Sequence, residues 1–132
     1  PVFSKKTNYK FNSIELNGEK RLNQILYRNI KSLENENAEN ILFLSLKINT
    51  QKTKKIHSKD AKGDPNKYKM EIQTSLEVNL NNSEADQKDF IVSEIYDDFD
   101  SQFELNKYEK KIMGIMTERL SEKIIIYLRT LE

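Results

Sequence analysis

The sequence predicts an α+β fold: a two-layer sandwich in the order β-α-β-β-β-α, with two helices packed on one face of a roughly four-stranded mixed sheet. Three observations carry this expectation. Tyr68 to Leu80 alternates apolar and polar residues without a break, the period of a strand with one buried face. Leu22, Ile25, Leu26, Ile30 and Leu33 recur at helical spacing, and a longer stripe of the same kind runs from Tyr108 to Leu131. The chain has 132 residues, 36% hydrophobic and 33% charged. That length suits a single core, and no internal repeat or linker divides it.

Taken in order, Tyr9 to Leu16 reads as the first strand. Tyr9 and Phe11 alternate with polar neighbours, and then the phase slips to Ile14 and Leu16, which predicts a bulge or bend. Asn17-Gly18 ends the strand, with Asn17 a candidate cap for the helix that follows over Glu19 to Glu34. The Asn- and Glu-rich run from Asn35 to Asn40 closes that helix.

Ile41 to Thr50 is the second strand, with Leu42, Leu44, Leu46 and Ile48 on one face. Gln51 to Asn66 reads as a strand extension and a long loop, because it holds Gly63, Pro65 and many lysines. Tyr68 to Leu80 is the third strand, Asn81-Asn82-Ser83 a turn, and Lys88 to Phe99 a further strand completing a meander.

The last element is a long helix from about Ser101 or Asn106 to Thr130, with Ser101 and Glu104 spaced as a capping box. Tyr108, Ile112, Ile115, Met116, Leu120, Ile124, Tyr127, Leu128 and Leu131 form its apolar stripe, and Gly114 within it predicts a close contact. The β-α-β opening favours parallel pairing of its two strands. Neither layer can be dry alone, so the helices are expected to cover the apolar side of the sheet.

Composition excludes several chemistries. There is no Cys, hence no disulfide, thiol nucleophile or thiolate metal site. The net charge is +1, which gives no global attraction for nucleic acid or anionic membrane. No apolar run approaches the length of a membrane span. His57 is the only histidine and has no metal-ligating neighbour at useful spacing. Glu94, Asp97, Asp98 and Asp100 could hold a hard cation, but they lack the spacing of a calcium loop and read better as a solvated connection before a helix. There is no Gly-rich phosphate loop and no paired acid and base. The sequence therefore predicts a protein that is not an enzyme and needs no cofactor and no metal.

Charge is segregated along the chain. Between Lys52 and Lys69 lie Lys52, Lys54, Lys55, Lys59, Lys62, Lys67 and Lys69, opposed only by Asp60 and Asp64. From Glu84 to Glu104 the acids Glu84, Asp86, Asp89, Glu94, Asp97, Asp98, Asp100 and Glu104 face the single Lys88. Such a basic segment suits phosphate-bearing ligands or an acidic partner.

The opening Pro1-Val2-Phe3 resembles the start of the mature lipopolysaccharide-assembly lipoproteins (the LptE family). There a Cys-Gly-aromatic-x-Pro run is followed by an aliphatic and an aromatic residue. The strand and helix around Asn23-Gln24-Ile25-Leu26, the strands Ile41–Thr50 and Tyr68–Leu80, the Ser93-to-Tyr96 strand and the final helix with Ile124-Ile125-Ile126-Tyr127-Leu128 are similar to that family's elements. The likeness spans nearly the whole chain as a pattern of elements; only the tripeptide is motif-like.

The resemblance implies one LptE-like domain over 1–132. Residues 1–8 would be a linker from a lipidated Cys a few positions upstream, consistent with a chain that starts at Pro1 and not at Met. It implies an outer-membrane lipoprotein, lipid-anchored on the periplasmic side of a Gram-negative bacterium. Such a protein binds and plugs the LptD β-barrel and assists assembly of lipopolysaccharide in the outer leaflet. Its partners would be an LptD-type barrel, lipopolysaccharide and, through the anchor, the membrane, with no nucleic acid. Lys52, Lys54, Lys55, Lys59 and Lys62 are the candidate contacts to lipopolysaccharide or to the barrel wall.

Two other functions fit the same elements. A soluble periplasmic ligand-binding or interaction domain unrelated to lipopolysaccharide would share the fold but lack the upstream Cys. A nucleic-acid-binding α+β module would set Tyr9, Phe11 and Phe43 together as a stacking platform on the sheet, although the aromatic-glycine signature of such modules is absent.

Overall fold

A computed structural model describes residues 7–34, 40–80 and 85–131. Six elements follow one another: β1 (Thr7–Gly18), α1 (Lys20–Lys31), β2 (Asn40–Lys59), β3 (Pro65–Leu80), β4 (Ala85–Asp97) and α2 (Gln102–Arg129). The strands form one sheet in the order β1-β2-β3-β4, with β1 parallel to β2 and the other two pairings antiparallel. This is the α+β, two-layer arrangement and the element order that the residue periods predict.

Alternation decides which side of the sheet is covered. On β2, Leu44, Leu46, Ile48 and Thr50 are buried, and on β3 so are Met70, Ile72, Thr74, Leu76 and Val78. Their neighbours Lys47, Asn49, Gln73 and Ser75 are exposed on the opposite face. The phase slip in β1 is a register irregularity between Phe11 and Ser13: Phe11 pairs with Leu44 and Ser13 with Ser45, leaving Asn12 as the extra residue. Both Tyr9 and Leu16 thereby keep to the helix side of the sheet.

The two helices lie on that side. Leu22, Leu26 and Ile30 of α1 and Leu105, Met116, Leu120, Ile124 and Leu128 of α2 are buried against it. Each such side chain contributes ~1.5–3 kcal/mol of burial before ordering costs. Between the helices, Asn29 Nδ2 donates to Ser121 Oγ at 3.0 Å and to Glu118 Oε2 at 3.0 Å. The buried hydroxyls of Thr117 and Ser121 bond back to the carbonyls of Met113 and Thr117, which leaves small groups at the seam.

Several details depart from the sequence expectation. Asn17 does not cap α1; Glu19 occupies the cap position, with no side-chain bond, and Thr50 ties down the turn instead. The helix stops at Lys31, and the segment 35–39 lies outside the described residues, as do 81–84 and Pro1-Val2-Phe3. Gly114 makes no close contact: a Cβ there would meet nothing within 4 Å. Ile115 is 45% exposed and leaves the stripe, whereas Leu105 and Met113 join it. Ser101 does cap α2, accepting from the Glu104 N–H at 3.3 Å.

Candidate functional site: a basic arm and the groove at its root

The stretch expected as a strand extension and a long loop is nearly all strand. β2 continues to Lys59 and β3 resumes at Pro65, so the connection is only Asp60 to Asp64. The Asp60 carboxylate accepts from the N–H groups of Lys62 and Asp64, both at 2.9 Å, and Gly63 takes φ 89° in the turn. The chain can extend this way because β1 ends at Gly18, opposite Thr50, so that beyond it β2 is the edge of a three-stranded sheet where lysine side chains need no burial. Pro65 sits at the start of a strand, where its missing N–H costs least.

Alternation splits the five candidate lysines between surfaces. Lys52 and Lys54 oppose Ile72 and Met70, so they share the helix side of the sheet. Lys55 opposes Lys69 and points to the other side. The register shifts around His57, which is exposed in the irregular stretch between Ile56 and Ser58. Lys59 and Lys62 lie at the exposed tip. The structure thus brings Lys52 and Lys54 together and disperses Lys55, Lys59 and Lys62 along the arm.

At the root of the arm, Lys54 has a defined place. Its Nζ lies 2.8 Å from Glu109 of α2 and 4.3 Å from the centre of the Tyr68 ring. Tyr96 donates its hydroxyl to the same Glu109 carboxylate. Its ring is 5.8 Å from both Tyr68 and Tyr108, and Phe99 packs on Tyr108 at 5.3 Å. Burial, and then the bond to Glu109, raise the Tyr96 hydroxyl well above the usual tyrosine range. This aromatic stack fastens β3, β4 and α2 where the arm leaves the body.

Beside it opens a groove of about 390 Å³, lined by Glu19, Arg21, Lys52, Lys54, Met70, Asn106, Glu109, Lys110 and Met113. Arg21, Lys52 and Lys110 make no ion pair among the described residues, whereas Lys54 is engaged by Glu109. Met70 and Met113, both buried, give the groove an apolar floor. Cations above an apolar base suit an amphiphilic anion. Arg21, Lys110 and the two methionines were missed in the sequence because they belong to elements far apart along the chain.

The acidic segment does not form a separate pole. Lys67 pairs in register with Asp97 and its Nζ is 3.2 Å from that carboxylate; Glu94 holds Arg119 at 3.0 Å. Asp98 and Asp100 are exposed after β4. Among the described residues no three His, Asp or Glu side chains gather as a metal site. The aromatic platform is not assembled either. Tyr9 is buried in the core, Phe11 packs partly buried against it, and Phe43 is exposed on the opposite face.

No described helix is long and apolar enough to cross a membrane. No family model and no curated protein matches the chain. Solved structures do. Rare lipoprotein B from Shewanella oneidensis superimposes with a TM-score of 0.71 at 15% identity, over 91% of this chain and 96% of that one. Lipoprotein B from Nitrosomonas europaea gives 0.62 at 14% identity, over 92% and 84%. A minor lipoprotein from Acinetobacter baumannii gives 0.61 at 13% identity, over 91% and 87%. In its sheet and both helices this chain has the fold of those lipoproteins over about nine-tenths of its length.

Proposed function

We propose that this protein is an outer-membrane lipoprotein of lipopolysaccharide assembly, held by an LptD-type β-barrel and acting without catalysis. The observation that carries the reading is the fold shared over 91% of the chain with rare lipoprotein B. The LptE-like tripeptide Pro1-Val2-Phe3 and order of elements point the same way.

The physics of the surface supports it. A plug inside a barrel must be stiff and must meet a polar, water-lined wall with hydrogen-bonding groups. The uncovered face of this sheet offers Asn49, Gln51, Gln73, Ser75 and Asp89 around one shallow depression. Lipopolysaccharide carries phosphates on acylated sugars, and the groove at the arm's root sets Arg21, Lys52 and Lys110 over Met70 and Met113. Of the remaining arm lysines, Lys59 and Lys62 add positive charge at the exposed tip, while Lys55 lies on the opposite face of the sheet.

The test is affinity purification of the tagged, membrane-targeted protein from detergent-solubilised envelope. Co-elution of a large heat-modifiable barrel is the expected result. Recovery of the protein with no barrel, together with no retention of lipopolysaccharide by the purified domain at low salt, overturns the reading.

A further inference from the structure

We propose that two copies of this chain pair through the outer edge of β4, forming a symmetric dimer with a continuous eight-stranded sheet. The inference does not depend on the barrel reading.

The edge is open and regular, although it carries the charges of Asp86, Lys88, Asp89, Glu94 and Asp97. β4 is last in the sheet order, so no described strand lies beyond it. Its register with β3 runs unbroken from Lys67↔Asp97 to Asn79↔Ala85, with no bulge and no proline. The opposite edge, β1, carries the irregularity at Asn12. Long, regular edges are what strand addition requires.

Its polarity can be assigned. The Asp98 N–H donates to the Asn66 carbonyl of β3 at 2.9 Å. Backbone direction alternates along a strand, so Tyr96, Glu94, Val92 and Phe90 point their amides at β3. Ile95, Ser93, Ile91 and Asp89 therefore point theirs outward, and their side chains lie on the uncovered face.

Antiparallel pairing about a two-fold axis at Ser93 sets Ile91 opposite Ile95 of the second copy, and Ile95 opposite its Ile91. These two side chains are 50% and 47% exposed in the single chain. The same register sets Asp89 opposite Asp97 of the second copy. Lys67, 3.2 Å from Asp97, supplies the counter-charge.

A second pattern, on the other face, has the same centre. Ile115, Arg119, Glu122 and Ile126 form an exposed stripe on α2 with 4-3-4 spacing. Ile115 is 45% and Ile126 62% exposed. In an antiparallel helix pair centred between Leu120 and Ser121, Ile115 meets Ile126 and Arg119 meets Glu122 of the second copy. That centre is level with Ser93, because Arg119 reaches Glu94 at 3.0 Å and Tyr127 packs on Phe90 at 5.9 Å. Strands joined across the edge are ~4.8 Å apart. Apolar pairs on both faces and complementary charges on the helix all follow from one axis, which favours a second copy over an unrelated strand.

The test is sedimentation equilibrium of the chain across micromolar to millimolar concentration, with amide exchange of Ile91, Ser93 and Ile95 read alongside. A concentration-dependent dimer is expected, with those three amides protected as it forms. Ser93→Pro removes an outward N–H without breaking the β3 ladder and is expected to give a monomer. Glu122→Arg, at an exposed site that leaves folding intact, sets guanidinium against guanidinium at both Arg119 contacts across the axis. It is expected to raise the dissociation constant roughly tenfold, and adding Arg119→Glu is expected to restore pairing. A wild type that stays monomeric throughout, or a dimer indifferent to both Ser93→Pro and Glu122→Arg, overturns the proposal.

Discussion

The Thr50 hydroxyl donates to Asn23 Oδ1 at 2.9 Å, and both residues are buried. The same oxygen accepts the Glu19 N–H at 3.2 Å. One side chain of β2 therefore holds the turn that carries β1 into α1. Gly18 makes this approach possible: at φ 100° it lies so close that an added Cβ would stand 1.9 Å from the Thr50 carbonyl oxygen. Gly18→Ala is expected to cost ~3 kcal/mol or more, from clash and left-handed strain together. Thr50→Val leaves the Asn23 oxygen without its donor and is expected to cost ~1–3 kcal/mol. Urea denaturation of both variants checks the pair.

Gly114 presents the opposite case. It sits inside α2 with open space where a Cβ would go. Gly114→Ala is expected to stabilise the protein by up to ~1 kcal/mol, through helix propensity alone. Thermal unfolding by circular dichroism reads the shift, and a destabilised variant contradicts it.

Thr74 is buried on the helix side of β3, and its hydroxyl has no hydrogen-bond partner among the described residues. Replacing it with valine keeps the shape and removes an unsatisfied group. Thr74→Val is expected to raise stability by ~1 kcal/mol, measured as a higher denaturation midpoint at unchanged slope.

Tyr96 ties stability to alkaline pH. Its hydroxyl is buried and donates to Glu109, so the folded state holds the proton above the ordinary value of 10.0. The unfolded chain releases that proton near pH 10 while the folded chain keeps it. The contribution is complete below pH 10 and shrinks as the pH climbs beyond it. Tyr127, raised by burial and by Asp86, acts in the same sense. Stability measured from pH 8 to 11 is expected to fall at the top of that range, and Tyr96→Phe to flatten the fall.

The groove predicts a binding phenotype. Replacing Arg21, Lys52 and Lys110 together by glutamine is expected to weaken lipopolysaccharide binding about ten- to hundredfold, at ~0.5–1 kcal/mol for each exposed contact. Added salt is expected to weaken the wild type toward the same affinity. Lys54→Gln is expected to reduce stability as well, since Lys54 holds Glu109 at 2.8 Å. Fluorescence titration with purified lipopolysaccharide, on variants shown to be folded, separates the two effects.

Local periods were enough for much of this molecule. Alternation in Tyr68–Leu80 and the stripes at Leu22–Leu33 and Tyr108–Leu131 sort most side chains into wet and dry, and that sorting reflects solvent more than any distant contact. The slip between Phe11 and Ile14 was equally plain, since an extra residue leaves a visible change of phase. What sequence order could not supply was the company each residue keeps. Ile115 fits a helical stripe yet is exposed, because β4 is the last strand among the described residues and none of them covers that flank of α2. The five candidate lysines looked like one patch but are divided by alternation along a strand.

By itself the sequence determined the number, type and order of the elements and the absence of any thiol chemistry. The tertiary structure alone decided that Lys52 meets Arg21 and Lys110 in one groove, and that Thr50 anchors the turn at Gly18. It also decided that the acidic strand β4 lies beside the basic arm at Lys67 and Asp97. Periodicity is set by which side of an element faces water, a local matter. Juxtaposition depends on register and on helix placement, which arise only when the whole core closes.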